Sequence, residues 1–188
     1  MEIKTFSPKD HFLKVLIYGA SKSGKTTFAG TAKNAVFASA EGGLLSIADK
    51  RPNYTKIETL RDLSDFYLFL RGGKHEYKTV IIDSLTEIND IIKTGIEKKT
   101  GHSMEQRDWG EHTEAIMKLL RDFRGLPMNV IFIATEKYIS DEDKIKKIVP
   151  MIDGKAATKI AQFMDIVAYI HVENDGRSWI EVTRNKKL

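Results

Sequence analysis

Residues 19–26 read Gly-Ala-Ser-Lys-Ser-Gly-Lys-Thr, two glycines with four residues between them, followed by a lysine and a hydroxyl. That spacing is a phosphate cradle of the P-loop kind. The glycines let backbone N–H groups wrap a phosphate, and a helix starting at Lys25 would add the positive end of its dipole. Lys25 would reach the β- and γ-phosphates, and Thr26 would offer its hydroxyl to Mg²⁺. The expected nucleotide-binding set is therefore Gly19, Ala20, Ser21, Lys22, Ser23, Gly24, Lys25, Thr26 and Thr27, with ATP and Mg²⁺ as ligands. Lys22 is not required by the motif.

A second group of the same chemistry is Asp83, which ends the apolar run "VIID". A carboxylate there would share the Mg²⁺ shell with Thr26. The alternative is an aspartate that merely caps the next helix, a role Ser84 can fill equally well. Hydrolysis also needs a residue to orient or activate water. Glu41, after the run "NAVFASA", would stand at the carboxyl edge of a sheet, where ligands bind in open α/β folds. Glu87 competes for the role but falls inside the next helical pattern.

The elements that must position these residues follow from the hydrophobic pattern. Strands are predicted at 13–19, 34–41, 55–60, 78–84 and 129–135, and helices at 25–33, 62–70, after Ser84, at 111–125 and at 154–165. Residues 98–110 read as a loop or broken helix, 136–150 as an exposed loop or hairpin, and 166–186 as a terminal antiparallel hairpin around Asp175-Gly176-Arg177. Strands alternating with helices indicate an α/β class with a mostly parallel central sheet, helices on both faces and a C-terminal hairpin. With 188 residues and no linker, repeat or low-complexity tract, one domain over 1–188 is expected.

Composition removes several function classes. The chain has no cysteine, so disulfide, thiolate-metal and thiol chemistry are out. The five histidines, at 11, 75, 102, 112 and 171, show no HxxxH spacing for zinc. No signal-peptide core and no apolar run near about 18 residues is present, so a soluble cytoplasmic protein is expected. A net charge of +4 is compatible with nucleic-acid binding but is shared by many metabolic enzymes.

Taken in order, "GASKSGKT", "AVFASAEGGL", "TVIIDSLTEI", "NVIFIATEK" and "IEVTRNKKL" resemble the RecA-like P-loop ATPase core. The resemblance implies that Glu41 is the catalytic base and Asp83 the Walker B carboxylate. It implies a γ-phosphate-sensing role for Thr135, where RecA itself has glutamine; the plain alternative is a threonine ending a strand. It also implies that Arg184 and Lys186 reach a neighbouring subunit's ATP, as the Lys-Asn-Lys strand end of RecA does, against the alternative of a basic tail. Residues 12–187, including "DWG" at 108–110 and "VPMIDGKAATKIAQFMDIVAYI" from 149, more closely resemble the small phage RecA-like single-strand annealing proteins of the fourth Sak group. That implies single-stranded DNA, other copies of the chain as a ring or filament, and a single-strand binding protein as partners, in the cytoplasm of a host cell.

The loops matching RecA's DNA contacts carry Lys98, Lys99, His102, Arg107 and Trp109, and Lys137, Tyr138, Lys144, Lys146 and Lys147. Cations would track phosphates while a ring stacks on a base. The bland alternatives are a solvated face, diluted by Asp141, Glu142 and Asp143, and a Trp109 that only anchors the following helix. Two functions stand at this point. One is a DNA-recombination ATPase; the other is a small-molecule P-loop kinase. A kinase should carry an arginine-rich lid, and "EKYISDEDKIKKIVP" has no arginine.

Overall fold

The computed structural model describes residues 11–140, 146–154, 156–173 and 175–183. Its strands are β1 (Lys14–Gly19), β2 (Ala35–Ser39), β3 (Asn53–Lys56), β4 (Thr79–Asp83), β5 (Asn129–Ser140), β6 (Lys146–Pro150), β7 (Ile166–Val172) and β8 (Ser178–Thr183). They lie in the order β3-β2-β4-β5-β1-β7-β8, and β6 pairs off this path with β5. Every pairing from β3 to β7 is parallel, whereas β5–β6 and β7–β8 are antiparallel. The expected α/β sheet with its terminal hairpin is present. The ends of β1, β2, β4 and β5 meet along one edge.

Side chains alternate across a strand, so each central strand feeds two cores. Leu16, Val36, Ala38, Val80, Ile82, Val130 and Phe132 face one side, packed by α2 (Leu60–Arg71), α3 (Leu85–Thr100) and α4 (Asp108–Arg124). Ile17, Phe37, Ile81 and Ile133 face the other, where Ala29 of the five-residue α1 (Lys25–Ala29) and Ile47 of the 3-10 segment Gly43–Lys50 meet Ala168 and Ile170 of β7. Both faces are covered, but very unequally.

Local chemistry explains where the sequence-predicted boundaries shift. The helix expected over 25–33 stops at Ala29, because Gly30 packs beneath Ile47: a Cβ there would lie 3.1 Å from Ile47 Cδ1. The strand expected over 55–60 is 53–56, since a reciprocal cap between Thr59 and Asp62 already starts α2. Over 98–110, α3 runs on to Thr100, Gly101 ends it with φ 76°, and α4 begins at Asp108. The helix expected over 154–165 is shorter, α5 (Ala156–Lys159) leading into a 3-10 turn, Ile160–Phe163. No helix among the described residues is long and apolar enough to cross a membrane.

The helical layer holds one group out of keeping with an apolar core. His112 of α4 is fully buried, and neither ring nitrogen has a hydrogen-bond partner among the described residues. Trp109, in the first turn of the same helix, meets it edge-on at 5.5 Å. Burial pushes the imidazole pKa below its usual 6.5, against a weaker opposing pull from the Asn89 backbone. The unfolded chain therefore takes up a proton that the folded chain resists, and stability present above about pH 6.5 is lost as pH falls. His112→Leu should remove that loss. Its unfolding free energy should gain on wild type by up to about 1.4 kcal/mol per unit between pH 6.5 and 5.5, measured by urea unfolding. A pH-independent gap would refute the assignment.

Candidate functional site

The loop between β1 and α1 is shaped by two close constraints. A Cβ on Gly19 would sit 2.0 Å from the Ile170 carbonyl oxygen of β7, so only glycine lets β7 approach so near. Further along, Lys22 and Gly24 both take left-handed backbone, with φ 63° and 94°. Ser23 N–H donates to Ala20 O at 3.2 Å, tightening the turn between them. The helix that follows has only five residues. Its dipole is correspondingly small, so phosphate binding would rest on the loop and Lys25 more than the sequence suggests.

Lys25 is buried, and its ammonium donates to the carbonyl oxygens of Gly19 and Ala20 at 3.0 and 2.6 Å. Burial lowers its pKa, while the fields of Glu41, Asp83 and Glu136 oppose that shift. Thr26 Oγ1 donates to Asp83 Oδ2 at 2.8 Å, joining the loop to the end of β4. Ser84, not Asp83, caps α3, its hydroxyl accepting from Glu87 N–H at 3.3 Å. The carboxylate of Asp83 is thereby left to face Thr26. Burial raises Asp83 to about 6; the Thr26 hydrogen bond and Lys25 pull it down, and Glu41 pushes it up.

Glu41 arrives from the far side. β2 stops at Ser39, and the N–H groups of Ala40 and Glu41 both donate to Asp83 O, at 2.7 and 3.3 Å. This fastens Glu41 beside Asp83 although it lies two residues beyond the strand. Ser21, Lys22, Gly24, Lys25, Thr26, Thr27, Glu41, Gly43 and Ser46 line one cavity of about 350 Å³. Glu87 is not among them; it lies in the first turn of α3, its pKa raised by burial, Asp90 and Glu41. Gly43, Ser46 and Glu136 escaped the sequence reading. Glu136 stands one residue past Thr135, a spacing that pointed to no motif. Gly43 and Ser46 belong to a 3-10 turn whose position only the fold sets.

Thr135 pairs with Gly19 in the sheet register. Its N–H donates to Thr86 Oγ1 at 2.9 Å, and its carbonyl accepts from Met151 N–H at 2.6 Å. Arg184 and Lys186 lie outside the described residues, as does Lys144. In the first candidate DNA loop, Lys99 pairs with Glu111 at 2.8 Å, and Arg107 lies against Glu105 and Asp108 while touching His102. Their charge is matched internally, and Lys98 stands exposed beside them. In the second, Lys137 turns inward to Ile152 O and Asp153, whereas Tyr138 is 66% exposed and Lys146 and Lys147 face outward on β6.

The donor set suits a magnesium-bound nucleoside triphosphate. The Thr26 hydroxyl and the Asp83 carboxylate would offer hard oxygens to the metal, and the buried Lys25 ammonium would offer positive charge to the phosphates. Ser23 Oγ, buried and without a partner among the described residues, is a further polar atom at the loop.

A family profile described as "AAA domain" matches residues 11–187. Among solved structures, the chain is similar to a KaiC-like protein from the hyperthermophilic archaeon Pyrococcus horikoshii, with a TM-score of 0.53 and 14% identity over 93% of this chain and 80% of that one. It is also similar to a prototypical ATPase from the type III secretion system of pathogenic bacteria, with a TM-score of 0.55 and 12% identity over 87% of this chain. The chain spans about half, 51%, of that second protein. No curated protein matches it significantly. The fold is that of RecA-like P-loop ATPases.

Because burial raises Asp83, its charged form costs folding free energy at neutral pH, a cost absent below the ordinary carboxyl pKa near 3.8 and complete above about 6. Asp83→Asn, which can still accept from Thr26, should stabilise the protein without nucleotide at pH 7.5 by up to about 2–3 kcal/mol. The same variant should lose the rise in Tm that Mg²⁺ with ATP gives wild type. Thermal unfolding with and without Mg²⁺-ATP reads both; a variant less stable than wild type in buffer alone contradicts the account.

Proposed function

The chain belongs to the AAA domain family, and from that premise we propose that it is a RecA-like ATPase that binds single-stranded DNA and promotes annealing or recombination. The observation that carries the ATPase part is that Lys25, Thr26 and Glu41 line one cavity while Asp83, from a third strand end, accepts from the Thr26 hydroxyl behind it. In this reading 1–188 is a single RecA-like domain.

Lys25 would exchange the Gly19 and Ala20 carbonyls for the β- and γ-phosphate oxygens, neutralising charge as the γ-phosphoryl group leaves. Thr26 and Asp83 would hold Mg²⁺, whose charge would offset that of the phosphates. Glu41 would accept the proton of the attacking water. Thr135, beside Gly19, would report the γ-phosphate to the β5–β6 hairpin. Arg184 and Lys186 would complete the site of a neighbouring copy, making turnover dependent on assembly.

The DNA part rests on the resemblance to phage annealing proteins and on the exposed Tyr138 and Lys146, which share one face of the hairpin. The internal pairing of Lys99 and Arg107 shifts the proposed contact away from 98–110 and towards β5–β6. Stacking of a base on Tyr138 and a phosphate contact from Lys146 match the chemistry of sequence-tolerant single-strand binding. A single-strand binding protein is the partner proposed in the host cytoplasm.

ATP turnover with and without single-stranded DNA tests the whole reading. DNA should stimulate hydrolysis, Lys25→Ala should abolish nucleotide binding, and Glu41→Gln should keep binding while slowing turnover about 10²-fold or more. Phosphorylation of a metabolite without any DNA binding would replace this reading by the kinase. Tyr138→Ala should weaken DNA binding by roughly 1–3 kcal/mol in fluorescence anisotropy without changing basal turnover.

A further inference from the structure

The helix that leaves the phosphate site also holds the β5–β6 hairpin. Asp83 ends β4, and α3 starts two residues later at Leu85, with Ser84 as its cap. Thr86 and Asn89 stand three residues apart on its first turns, so they lie on one side of the helix, and both are buried. Thr86 Oγ1 accepts from Thr135 N–H at 2.9 Å, where β5 passes from its pairing with β1 to its pairing with β6. Asn89 takes the other leg of the hairpin. Its Oδ1 accepts from Asp153 N–H and its Nδ2 donates to Asp153 Oδ2, both at 3.0 Å. Between the legs, Met151 N–H donates to Thr135 O at 2.6 Å. The hairpin is closed at its base and fastened to α3 on both sides.

We propose that Asn89, with Thr86, is a positioning residue: it makes the β5–β6 hairpin follow α3, so that occupation of the Asp83 site by nucleotide and metal sets the position of Tyr138 and Lys146. The inference rests on the ATPase reading above and gives it a mechanical link that does not use the side chain of Thr135.

Three features separate this clasp from ordinary core packing. The first is the buried amide itself. Leu85, Ile88, Ile92 and Ile96 of the same helix are buried as plain hydrocarbon, whereas Asn89, 3% exposed, must find partners for the hydration it gives up. It directs both its oxygen and its nitrogen to one residue, which fixes an angle as well as a distance. Lys137 approaches the same Asp153 from the hairpin side, at 3.9 Å. The second is reach. The bonds from Thr86 and Asn89 join residues 49 and 64 positions away, so neither serves the local structure of α3. The third is directness. Thr26 Oγ1 donates to Asp83 Oδ2, and a metal held by those two oxygens would compete with that bond. Only Ser84 lies between Asp83 and α3, and the first turns of α3 contain neither glycine nor proline. A small shift at Asp83 is therefore passed to residues 86 and 89 by a rigid helix.

The test uses the full chain, with and without Mg²⁺ and a non-hydrolysable ATP analogue, and two readouts. One is hydrogen exchange of peptides covering β5 and β6; the other is fluorescence anisotropy of a labelled oligothymidine. In wild type the analogue should change hairpin exchange and tighten oligonucleotide binding by roughly 5–150-fold, the usual span of a coupling between sites. Asn89→Asp keeps an acceptor for Asp153 N–H but sets two carboxylates face to face. Both responses should vanish while affinity for the analogue stays within about twofold of wild type. Adding Asp153→Asn puts a donor opposite an acceptor again and should restore both responses. Should Asn89→Asp fail to fold by circular dichroism, Asn89→Leu, of the same shape, replaces it and should lose both responses. If the single variant responds as wild type does, the clasp only packs and the inference is wrong. It is equally wrong if the double variant stays silent, or if affinity for the analogue falls together with the responses. A wild-type hairpin that responds to the analogue without any oligonucleotide binding supports the clasp and removes the DNA reading. If wild type binds the analogue and hairpin exchange does not change, this inference falls and the ATPase reading stays; if it binds no analogue, both fall.

Discussion

Asp83 is a carboxylate placed where water barely reaches, facing a threonine hydroxyl from a different strand's loop. Burying a charge is costly unless something compensates for it, and here the Thr26 hydrogen bond and the Lys25 field do so only in part. The remaining imbalance is what a divalent cation would cancel. Around this pair the chain is tied together by backbone: Ala40 and Glu41 donate to the Asp83 carbonyl, and Ser84 takes over the helix cap. The parallel sheet makes this possible, since it brings the carboxyl ends of β1, β2, β4 and β5 to one edge without any long loop.

The same sheet explains the protein's asymmetry. Three long helices seal one face, so His112, Phe123 and Ile116 are buried there without access to solvent. The other face carries one short helix and a 3-10 turn; Ile180 and Val182 of its edge strand β8 and Leu45 of the 3-10 turn are exposed. An isolated edge valine needs no explanation, and the contrast lies in how unequally the two faces are covered.

The candidate site was more legible than the elements around it. Gly19, Gly24, Lys25 and Thr26 follow from spacing alone, because phosphate chemistry dictates which residue types can stand there. Asp83 was ambiguous until the hydroxyl of Ser84 was seen capping α3. Lys99, Arg107 and Lys137 looked like DNA contacts because sequence shows a cation but not its partner; Glu111, Asp108 and the Ile152 carbonyl were the missing information. The early end of α1 depended on Gly30 lying under Ile47, a contact seventeen residues apart.

Sequence by itself determined that residues 19–27 carry the P-loop spacing, that a sheet of alternating βα units carries that loop, and that a carboxylate follows an apolar strand. These are properties of local spacing and of hydrophobic period, both written along the chain. Tertiary structure alone decided that Gly43 and Ser46 join Glu41 in the cavity, and that one sheet face stays thin. Each of those depends on which strands become neighbours. That choice is made by the summed burial of distant side chains, which no window of the sequence contains.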